Sequence, residues 1–310
     1  MVFSEDSRVK IPCILHLVRL GYCYLSLKNA TWDEESNIFP KLFRAAIARI
    51  NPGMEGDDID RLLVNVQLSL ENEDLGKAFY EKLTERSGIR LIDFENFDNN
   101  SFHVVTELTC KNGDDEFRPD ITLLINGMPL IFIEVKKPNN REGVLAERNR
   151  IITRSRNQRF RRFINITQLM VFSNNMEYED GSPQPIEGAF YASPSYEAPT
   201  FNYFREEENL NLADLLADEN DDIENEVLRD NNLNVIKHSP EFISNKSPDT
   251  PTNRVCTSLF SRDRLSFLLQ YALVYVNESD GQQKHVMRYP QIFATKAIER
   301  KLDAGVRKGI

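Results

Sequence analysis

The sequence predicts an α/β protein with a central mixed β-sheet flanked by helices, a helical N-terminal section and a mostly helical C-terminal extension. Two observations support this fold class. Segments with apolar residues at helical spacing fill the chain up to Gly88, and from Phe102 onward short apolar strands alternate with helical segments. Two strands joined by a tight turn pair antiparallel, whereas strands joined by a helix pair parallel, so both pairings are expected in one sheet.

The N-terminal section is expected to hold three or four helices. The first begins at the N-cap Ser4 and ends near Gly21, and the others are predicted over residues 40–50, 57–70 and 75–87, with a short strand at 22–26. The main strands are predicted at 102–111, at 118–137 as a hairpin, at 169–172 and at 188–192, with one helix at 143–165. Beyond these lie one or two acidic helices up to residue 230, a linker at 236–253 and an apolar helix at 259–276.

The hairpin at 118–137 carries acidic and basic side chains at its open end, although its strands are otherwise apolar. Asp120 stands before the first strand, and Glu134 and Lys136 stand at the end of the second. Because side chains alternate along a strand, Glu134 and Lys136 point to one face and Val135 to the other. Burying a carboxylate and an ammonium is costly unless they are paired or bind an ion.

The turn of the hairpin decides on which face Asp120 lies. A three-residue loop at 125–127, with Gly127 in the left-handed conformation, keeps Asp120 on the face of Glu134 and Lys136. A two-residue Asn126-Gly127 turn places it on the opposite face. The hypothesis of a shared site therefore predicts the three-residue loop.

Two carboxylates beside a lysine are suited to phosphodiester hydrolysis. Carboxylate oxygens hold Mg²⁺ and leave positions for water and a phosphate oxygen. The ion lowers the pKa of bound water and, together with the lysine, offsets charge in the transition state. The alternative is a buried ion pair that ends the hairpin, since an acidic residue two positions before a lysine is common after an apolar strand.

Composition and charge narrow the class of protein. The chain has 310 residues and a net charge of −10. It shows no apolar run of membrane-spanning length and no signal peptide at its start, so no membrane association is expected. Its four cysteines are scattered, which favours the reducing cytoplasm. The charge is uneven, because residues 136–162 include ten basic residues against Glu142 and Glu147. A basic strip beside the acidic site favours a nucleic-acid backbone as partner, and a solvated helix face is the alternative.

The order of these motifs resembles a known nuclease family. Pro119-Asp120 followed by Glu134-x-Lys136 on the next strand resembles the PD-(D/E)xK nuclease superfamily. The runs FRPDITLLINGMPLIFIEVKKP, QLMVFSNN and GAFYAS, with an arginine-rich helix between the first two, resemble the N-terminal nuclease region of the restriction (motor) subunit of type I restriction endonucleases. The opening SEDSRVKIPCILHLVRLGY and the tail RYPQIFATKAIERKLDAGVRKGI also resemble that subunit, so the likeness extends over nearly the whole chain.

The resemblance implies a restriction-endonuclease-like core and a set of residue roles. Asp120 and Glu134 would be ligands of Mg²⁺, which Mn²⁺ can replace; the main-chain carbonyl of Val135 would be another ligand and Lys136 the catalytic lysine. Many nucleases of the superfamily carry a further acidic ligand on the helix before the sheet, which implies Glu5 here. The implied reaction is cleavage of unmodified double-stranded DNA at sites remote from the recognition sequence.

The likeness is incomplete on the helix after the lysine. Members of the family often carry a Gln-x-x-x-Tyr element there that engages DNA, whereas here Gln158 is followed four residues later by Arg162. Gln158, Arg162 and Arg154 are therefore the candidate DNA contacts. Phe160 and Phe163 are expected to pack the helix on the sheet rather than to stack on bases.

The resemblance also implies a domain organisation and partners. We expect an endonuclease domain at 1–204 (helical start 1–88, nuclease core 89–204), an acidic helical segment and linker at 205–257, and at 258–310 a helical lead-in to an ATP-dependent translocase. The phosphate-binding pattern G-x-x-x-x-G-K-[ST] does not occur, so ATP binding by this chain is not expected. Methylase and specificity subunits are the implied protein partners. Two alternatives stay open: another nuclease of the superfamily, acting in repair or recombination, and a non-catalytic scaffold that docks partner subunits.

Overall fold

The computed structural model describes residues 4–112, 115–138, 143–177, 188–279 and 281–305. Within these ranges the fold is α/β, with a central mixed sheet flanked by helices, as predicted. The strands are β1 (Cys23–Tyr24), β2 (Phe102–Thr106), β3 (Cys110–Asn112), β4 (Asp115–Phe117), β5 (Ile121–Ile125), β6 (Met128–Val135), β7 (Leu169–Ser173), β8 (Ala189–Ala192), β9 (Asn202–Tyr203), β10 (Leu273–Glu278) and β11 (Gly281–Val286).

Seven of the described strands form the central sheet, in the order β1-β2-β5-β6-β7-β8-β9. The pairs β1–β2 and β6–β7 are parallel, and the other neighbours are antiparallel. A π-helical turn, Asp6–Lys10, leads into the first α-helix. The α-helices are α1 (Ile11–Arg19), α2 (Pro40–Ile50), α3 (Gly56–Ser69), α4 (Lys77–Leu83), α5 (Gly143–Arg156), α6 (Arg161–Ile166), α7 (Leu212–Leu215), α8 (Asp221–Asp230), α9 (Pro240–Asn245), α10 (Pro251–Phe260), α11 (Arg262–Tyr271) and α12 (Tyr289–Asp303).

Both faces of β6 are covered, which explains its unbroken apolar run. Ile131 and Ile133 belong to the core that includes residues of α1 and α10. Phe132 points to the opposite face, where its ring centroid lies 5.5 Å from that of Phe163 on α6. By the alternation of the strand, Glu134 follows Phe132 onto the face covered by α5 and α6.

Aromatic packing fixes α6 and the turn before it. Phe160 and Phe163 are buried and meet Phe117 of β4 edge to face, with ring centroids 5.0 and 4.6 Å away. Both rings therefore pack inside the protein, and Phe163 joins α6 to the sheet through Phe132, as predicted. In the described ranges, no helix combines the length and apolar character needed to cross a membrane.

The hairpin turn between β5 and β6 differs from the prediction. Ile125 pairs with Met128, so Asn126 and Gly127 form a two-residue turn, in which both residues have left-handed φ values of 51° and 77°. This is the geometry of the type I′ turn that Asn-Gly favours. The predicted three-residue loop is therefore wrong.

A β-bulge in β6 nevertheless returns Asp120 to the predicted face. The register shifts between Leu123 and Leu124, and Leu130 is the extra residue on β6. One extra residue reverses the alternation that a two-residue turn would set. Asp120 therefore lies on the same face as Glu134, because the turn and the bulge offset each other.

The turn is also a tightly packed contact with α2, which makes Gly127 a sensitive position. A Cβ atom added there would lie 2.7 Å from the backbone nitrogen of Phe43 and 2.8 Å from the carbonyl oxygen of Phe39. We expect Gly127→Ala to lower the free energy of unfolding by about 3 kcal/mol or more, because backbone atoms of a helix cannot move aside and φ is left-handed. Urea unfolding measures this loss.

Gly53→Ala is the matched control for this prediction. Gly53 also has a left-handed φ, of 91°, but nothing lies within 4 Å of a Cβ added there. Its substitution carries the backbone strain alone and is expected to cost roughly 1 kcal/mol. Equal losses at the two glycines would contradict the role given to the contact with α2.

Two predicted elements of the nuclease core are divided in the structure. The strand predicted at 102–111 ends at Thr106, because Glu107 adopts a left-handed φ of 52°. Its remainder, β3, pairs with β4 in a separate two-stranded sheet, where the sequence had indicated a polar loop. The helix predicted at 143–165 is interrupted at Asn157, whose side chain accepts a hydrogen bond from the backbone of Arg159. A 3₁₀ turn, Gln158–Phe160, then connects α5 to α6.

The C-terminal part also departs from the prediction. The helix predicted at 259–276 is divided at Ser261 between α10 and α11, and its last four residues, from Leu273, instead belong to β10, which pairs antiparallel with β11. The segment predicted as a linker contains α9 and the start of α10, and Phe242 within it is fully buried. The predicted boundary after residue 257 falls inside α10. The division of the chain into three parts stays a prediction.

Candidate active site

The open end of the β5–β6 hairpin brings the three predicted catalytic residues together. Lys136 Nζ lies 3.6 Å from Asp120 Oδ2 and 3.9 Å from Glu134 Oε2. The carboxylate of Asp120 accepts a 2.9 Å hydrogen bond from the backbone N–H of Val135. Lys136 Nζ donates to the carbonyl oxygen of Val135 over 2.8 Å. These contacts hold the two strand ends together through their charged residues.

Glu5 reaches the same site from the N-terminal helical segment, as the resemblance implied. Its Oε1 atom lies 3.5 Å from Lys136 Nζ. The turn that follows Glu5 is attached to the sheet by the buried Lys10, whose Nζ lies 2.5 Å from Asp6 Oδ1 and 2.7 Å from Glu107 Oε1. Because Glu107 follows β2 directly, this ion pair fixes the start of the first helix beside the site.

Glu147 on α5 is a further carboxylate of the site, and the sequence reasoning missed it. Its side chain is 3% exposed, and its Oε2 lies 4.0 Å from Lys136 Nζ. Its two oxygens also accept hydrogen bonds from Arg150 over 2.9 Å and from Arg154 over 3.2 Å. Helical spacing could have found it: Glu147 lies one turn before the buried Ile151, so both lie on the face of α5 that packs on the sheet.

Four carboxylates, those of Glu5, Asp120, Glu134 and Glu147, lie within 4.0 Å of the ammonium of Lys136. Burial, reinforced by Asp120 and Glu147, raises the pKa of Glu134 well above its ordinary value. Burial also raises the pKa of Glu5. Burial acts to lower the pKa of Lys136, but the four carboxylates outweigh it and the pKa is raised. With Arg150 and Arg154 paired to Glu147, the four carboxylates exceed the three basic groups by one, and this excess of negative charge favours a further cation.

The donor set suits a hard divalent cation. Carboxylate and carbonyl oxygens, here from Asp120, Glu134 and Val135 with Glu5 beside them, are the ligands that Mg²⁺ and Mn²⁺ take in proteins. Among the described residues, no three acidic, histidine or cysteine side chains are arranged to hold one metal ion together. The ammonium of Lys136 lies among the carboxylates. The residues fit the ion chemically, and the lysine occupies their common centre.

The three candidate DNA contacts are placed differently from one another. Arg154 adjoins the site, because it donates to Glu147 and its guanidinium lies over the ring of Phe117, 4.4 Å from the centroid. Gln158 and Arg162 instead line a separate cleft whose described lining contains none of the three predicted catalytic residues. Of the three candidate DNA contacts, the structure therefore brings Arg154 alone to the site.

Acidic residues from distant parts of the chain pair with much of the basic strip. Arg162 forms ion pairs with Glu35 and Glu71, which precede it by 127 and 91 residues. Other pairs join arginines of the strip to acids outside it: Arg161 with Glu73 at 2.7 Å and Arg156 with Glu197 at 3.1 Å. The strip is thus more nearly neutral than the sequence count indicates, and its role in DNA binding stays a prediction.

Comparison with known proteins gives a family match and several relatives. The family model described as "Type I restriction enzyme R protein N terminus" matches residues 2–182, a range that contains every residue of the site. The protein named "Putative type I restriction enzyme MjaIXP endonuclease subunit", from Methanocaldococcus jannaschii, is 28% identical in an alignment 206 residues long that covers 58% of this chain and 19% of that protein. The type I restriction enzyme HindI endonuclease subunit of Haemophilus influenzae is 29% identical in an alignment 131 residues long that covers 36% of this chain and 12% of that protein. The chain spans much less than two thirds of the length of these curated relatives.

Proposed function

The chain belongs to the family of type I restriction enzyme R protein N termini, and on this premise we propose that it is a Mg²⁺-dependent endonuclease domain with a PD-(D/E)xK core. Its substrate is unmodified double-stranded DNA, whose phosphodiester bonds it hydrolyses at sites remote from the recognition sequence. The observation that carries the proposal is the meeting of Asp120, Glu134 and Lys136 at one hairpin end. The names of the relatives as endonuclease subunits support it.

The hairpin supplies the ligands of the ion. Asp120, Glu134 and the carbonyl oxygen of Val135 would hold Mg²⁺ or Mn²⁺, with Glu5 as a further acidic residue. When bound, the ion lowers the pKa of a coordinated water and offsets charge on the scissile phosphate. The backbone N–H of Val135 fixes the carboxylate of Asp120 in place, which lowers the entropic cost of assembling the site.

The basic residues act on water and phosphate. The ammonium of Lys136 orients the attacking water or stabilises negative charge in the transition state. Arg150 and Arg154 hold their guanidinium groups on Glu147, in a fixed orientation beside the site, where they can contact a DNA phosphate. We assign sequence recognition and modification to separate specificity and methylase subunits in the cytoplasm, and ATP use to the full-length subunit.

The test combines metal binding with DNA cleavage. Mg²⁺ and Mn²⁺ are titrated calorimetrically into the parent chain, Asp120→Ala and Glu134→Ala, and nicking of supercoiled plasmid is followed on the same samples. Both substitutions are expected to weaken metal binding at least about tenfold and nicking at least about a hundredfold, because each removes a charged ligand. Glu116→Ala, which removes an exposed carboxylate on β4, is the matched control and is expected to behave as the parent.

The opposite results have a definite meaning. If the parent neither binds metal nor nicks plasmid, or if the two variants bind and cut as the parent does while circular dichroism reports the same fold, the cluster is a structural ion-pair network. The docking scaffold then becomes the better assignment. Because metal binding is measured on the same samples as nicking, the test also gives a result when the chain alone cleaves DNA slowly.

A further inference from the structure

Lys136 makes its contacts with the same oxygen atoms that would bind the metal. Its Nζ donates to the carbonyl oxygen of Val135 at 2.8 Å and lies within 3.5 to 3.9 Å of the carboxylates of Glu5, Asp120 and Glu134. Mg²⁺ binds its ligands at about 2.1 Å, and an ammonium 2.8 to 3.9 Å from the same oxygens repels it strongly. The two cations cannot both hold these positions.

We propose that Lys136 and the divalent ion compete for the hairpin oxygens, and that Glu147 is a positioning residue that retains the lysine in the site when the ion is bound. This inference rests on the proposed metal-dependent function. It makes the lysine an internal counter-ion that the metal displaces over a short distance. In the displaced position, the lysine is free of the metal ligands and available to water and phosphate.

The position of Glu147 fits this role. It lies on α5, not on the hairpin, so it contacts Lys136 from a different side of the site. It is held in place by Arg150 and Arg154, and Arg154 is in turn fixed over the ring of Phe117. A rigid, buried carboxylate 4.0 Å from Nζ is an acceptor that the lysine can approach without leaving the site.

The first test measures metal affinity without DNA. Lys136→Met is expected to bind Mn²⁺ and Mg²⁺ at least about tenfold more tightly than the parent, because the competing charge is gone. Lys137→Met is the matched control: it removes the same charge from the next residue, which is exposed, and is expected to leave the affinity within about twofold. Lys136→Gln serves as a second neutral variant if Lys136→Met does not fold, as judged by its thermal unfolding.

The second test is a double-mutant cycle between Lys136 and Glu147. Glu147→Gln is expected to weaken metal binding more in the parent than in the Lys136→Met background, because the lysine then has only Glu5 and the hairpin oxygens as partners, all of them candidate metal ligands. An equal effect in both backgrounds would overturn the role of Glu147. Such a result would mean that Glu147 adds negative charge to the site without positioning Lys136.

The results separate this inference from the proposed function. Equal or weaker metal binding by both neutral variants of Lys136, or absence of binding by every chain without DNA, overturns the competition. The nuclease assignment is judged separately, by plasmid nicking of the parent against Glu134→Ala. Nicking that depends on Glu134 combined with unchanged affinity in Lys136→Met would keep the nuclease and reject the competition.

Discussion

Lys136→Ala is expected to lower the rate of plasmid nicking at least about a hundredfold, because it removes the positioned donor that acts on the attacking water or on the developing charge. The loss should persist at saturating Mg²⁺, since the lysine is not a metal ligand in the proposed site. The same variant should bind the metal more tightly than the parent. Binding and cutting are thus expected to change in opposite directions, which no general loss of folding produces.

Lys137→Ala is the control for nicking. Lys137 is exposed, so its removal changes the net charge of the same segment without removing the donor of the site. It is expected to cut at close to the parental rate, with a small change in salt dependence if the segment lies near DNA. Nicking by Lys136→Ala at the parental rate would remove the lysine from the mechanism, whatever its effect on metal affinity.

The hairpin shows which structural features local sequence patterns can predict and which they cannot. Strand alternation and the Asn-Gly signal located the hairpin, and an assumed three-residue loop predicted that Asp120 and Glu134 share a face. The turn itself was predicted wrongly, and the face is right only because Leu130 forms a bulge. The type I′ turn is the one that Asn126-Gly127 favours by itself, whereas the bulge does not follow from the residues alone; the turn is also held by the hydrogen bond from Phe39 N–H to the carbonyl of Gly127. That bond joins residues far apart in the chain.

Contacts between residues far apart in the chain explain the other differences between the predictions and the structure. Counting charges along the chain gave a basic strip, but Arg162 is paired with Glu35 and Glu71, which no local window contains. The apolar run that begins β10, from Leu273 to Val276, is compatible with a helix or a strand, and its pairing with β11 decides between them. Helical periodicity could have indicated Glu147, because Ile151, one turn later on the same face of α5, is buried. Its meeting with Lys136 required the sheet and α5 to be placed together.

Lys284 on β11 is a buried cation that the proposed mechanism does not use. Its Nζ donates to Gln168 Oε1 over 2.7 Å and to the carbonyl oxygen of Thr167 over 3.3 Å, between the rings of Tyr80 and Tyr275. Burial lowers its pKa from 10.5 to about 7, with no carboxylate in hydrogen-bond contact among the described residues. A pKa difference of this size corresponds to roughly 5 kcal/mol between the protonation states.

The sign of the pH dependence follows from the two pKa values of Lys284. Between pH 7 and 10.5 the unfolded chain holds a proton on this lysine that the native chain has released. Stability therefore rises with pH across this window, and the full cost of burying the charge is present below pH 7. Other groups titrate in the same range, so the informative quantity is the difference in unfolding free energy between the parent and a variant of Lys284.

Lys284→Met is expected to be about 2 kcal/mol more stable than the parent at pH 7, because it removes a buried charge at the cost of the hydrogen bond to Gln168. By pH 9.5 the parent no longer carries that charge, so the advantage should fall by about 3 kcal/mol and reverse. Guanidinium unfolding at pH 7 and pH 9.5 measures both values. Lys41→Met, at an exposed position on α2, should show no such pH-dependent difference. A constant difference between Lys284→Met and the parent would mean that Lys284 stays protonated in the native state, with Gln168 and the two tyrosine rings stabilising its charge.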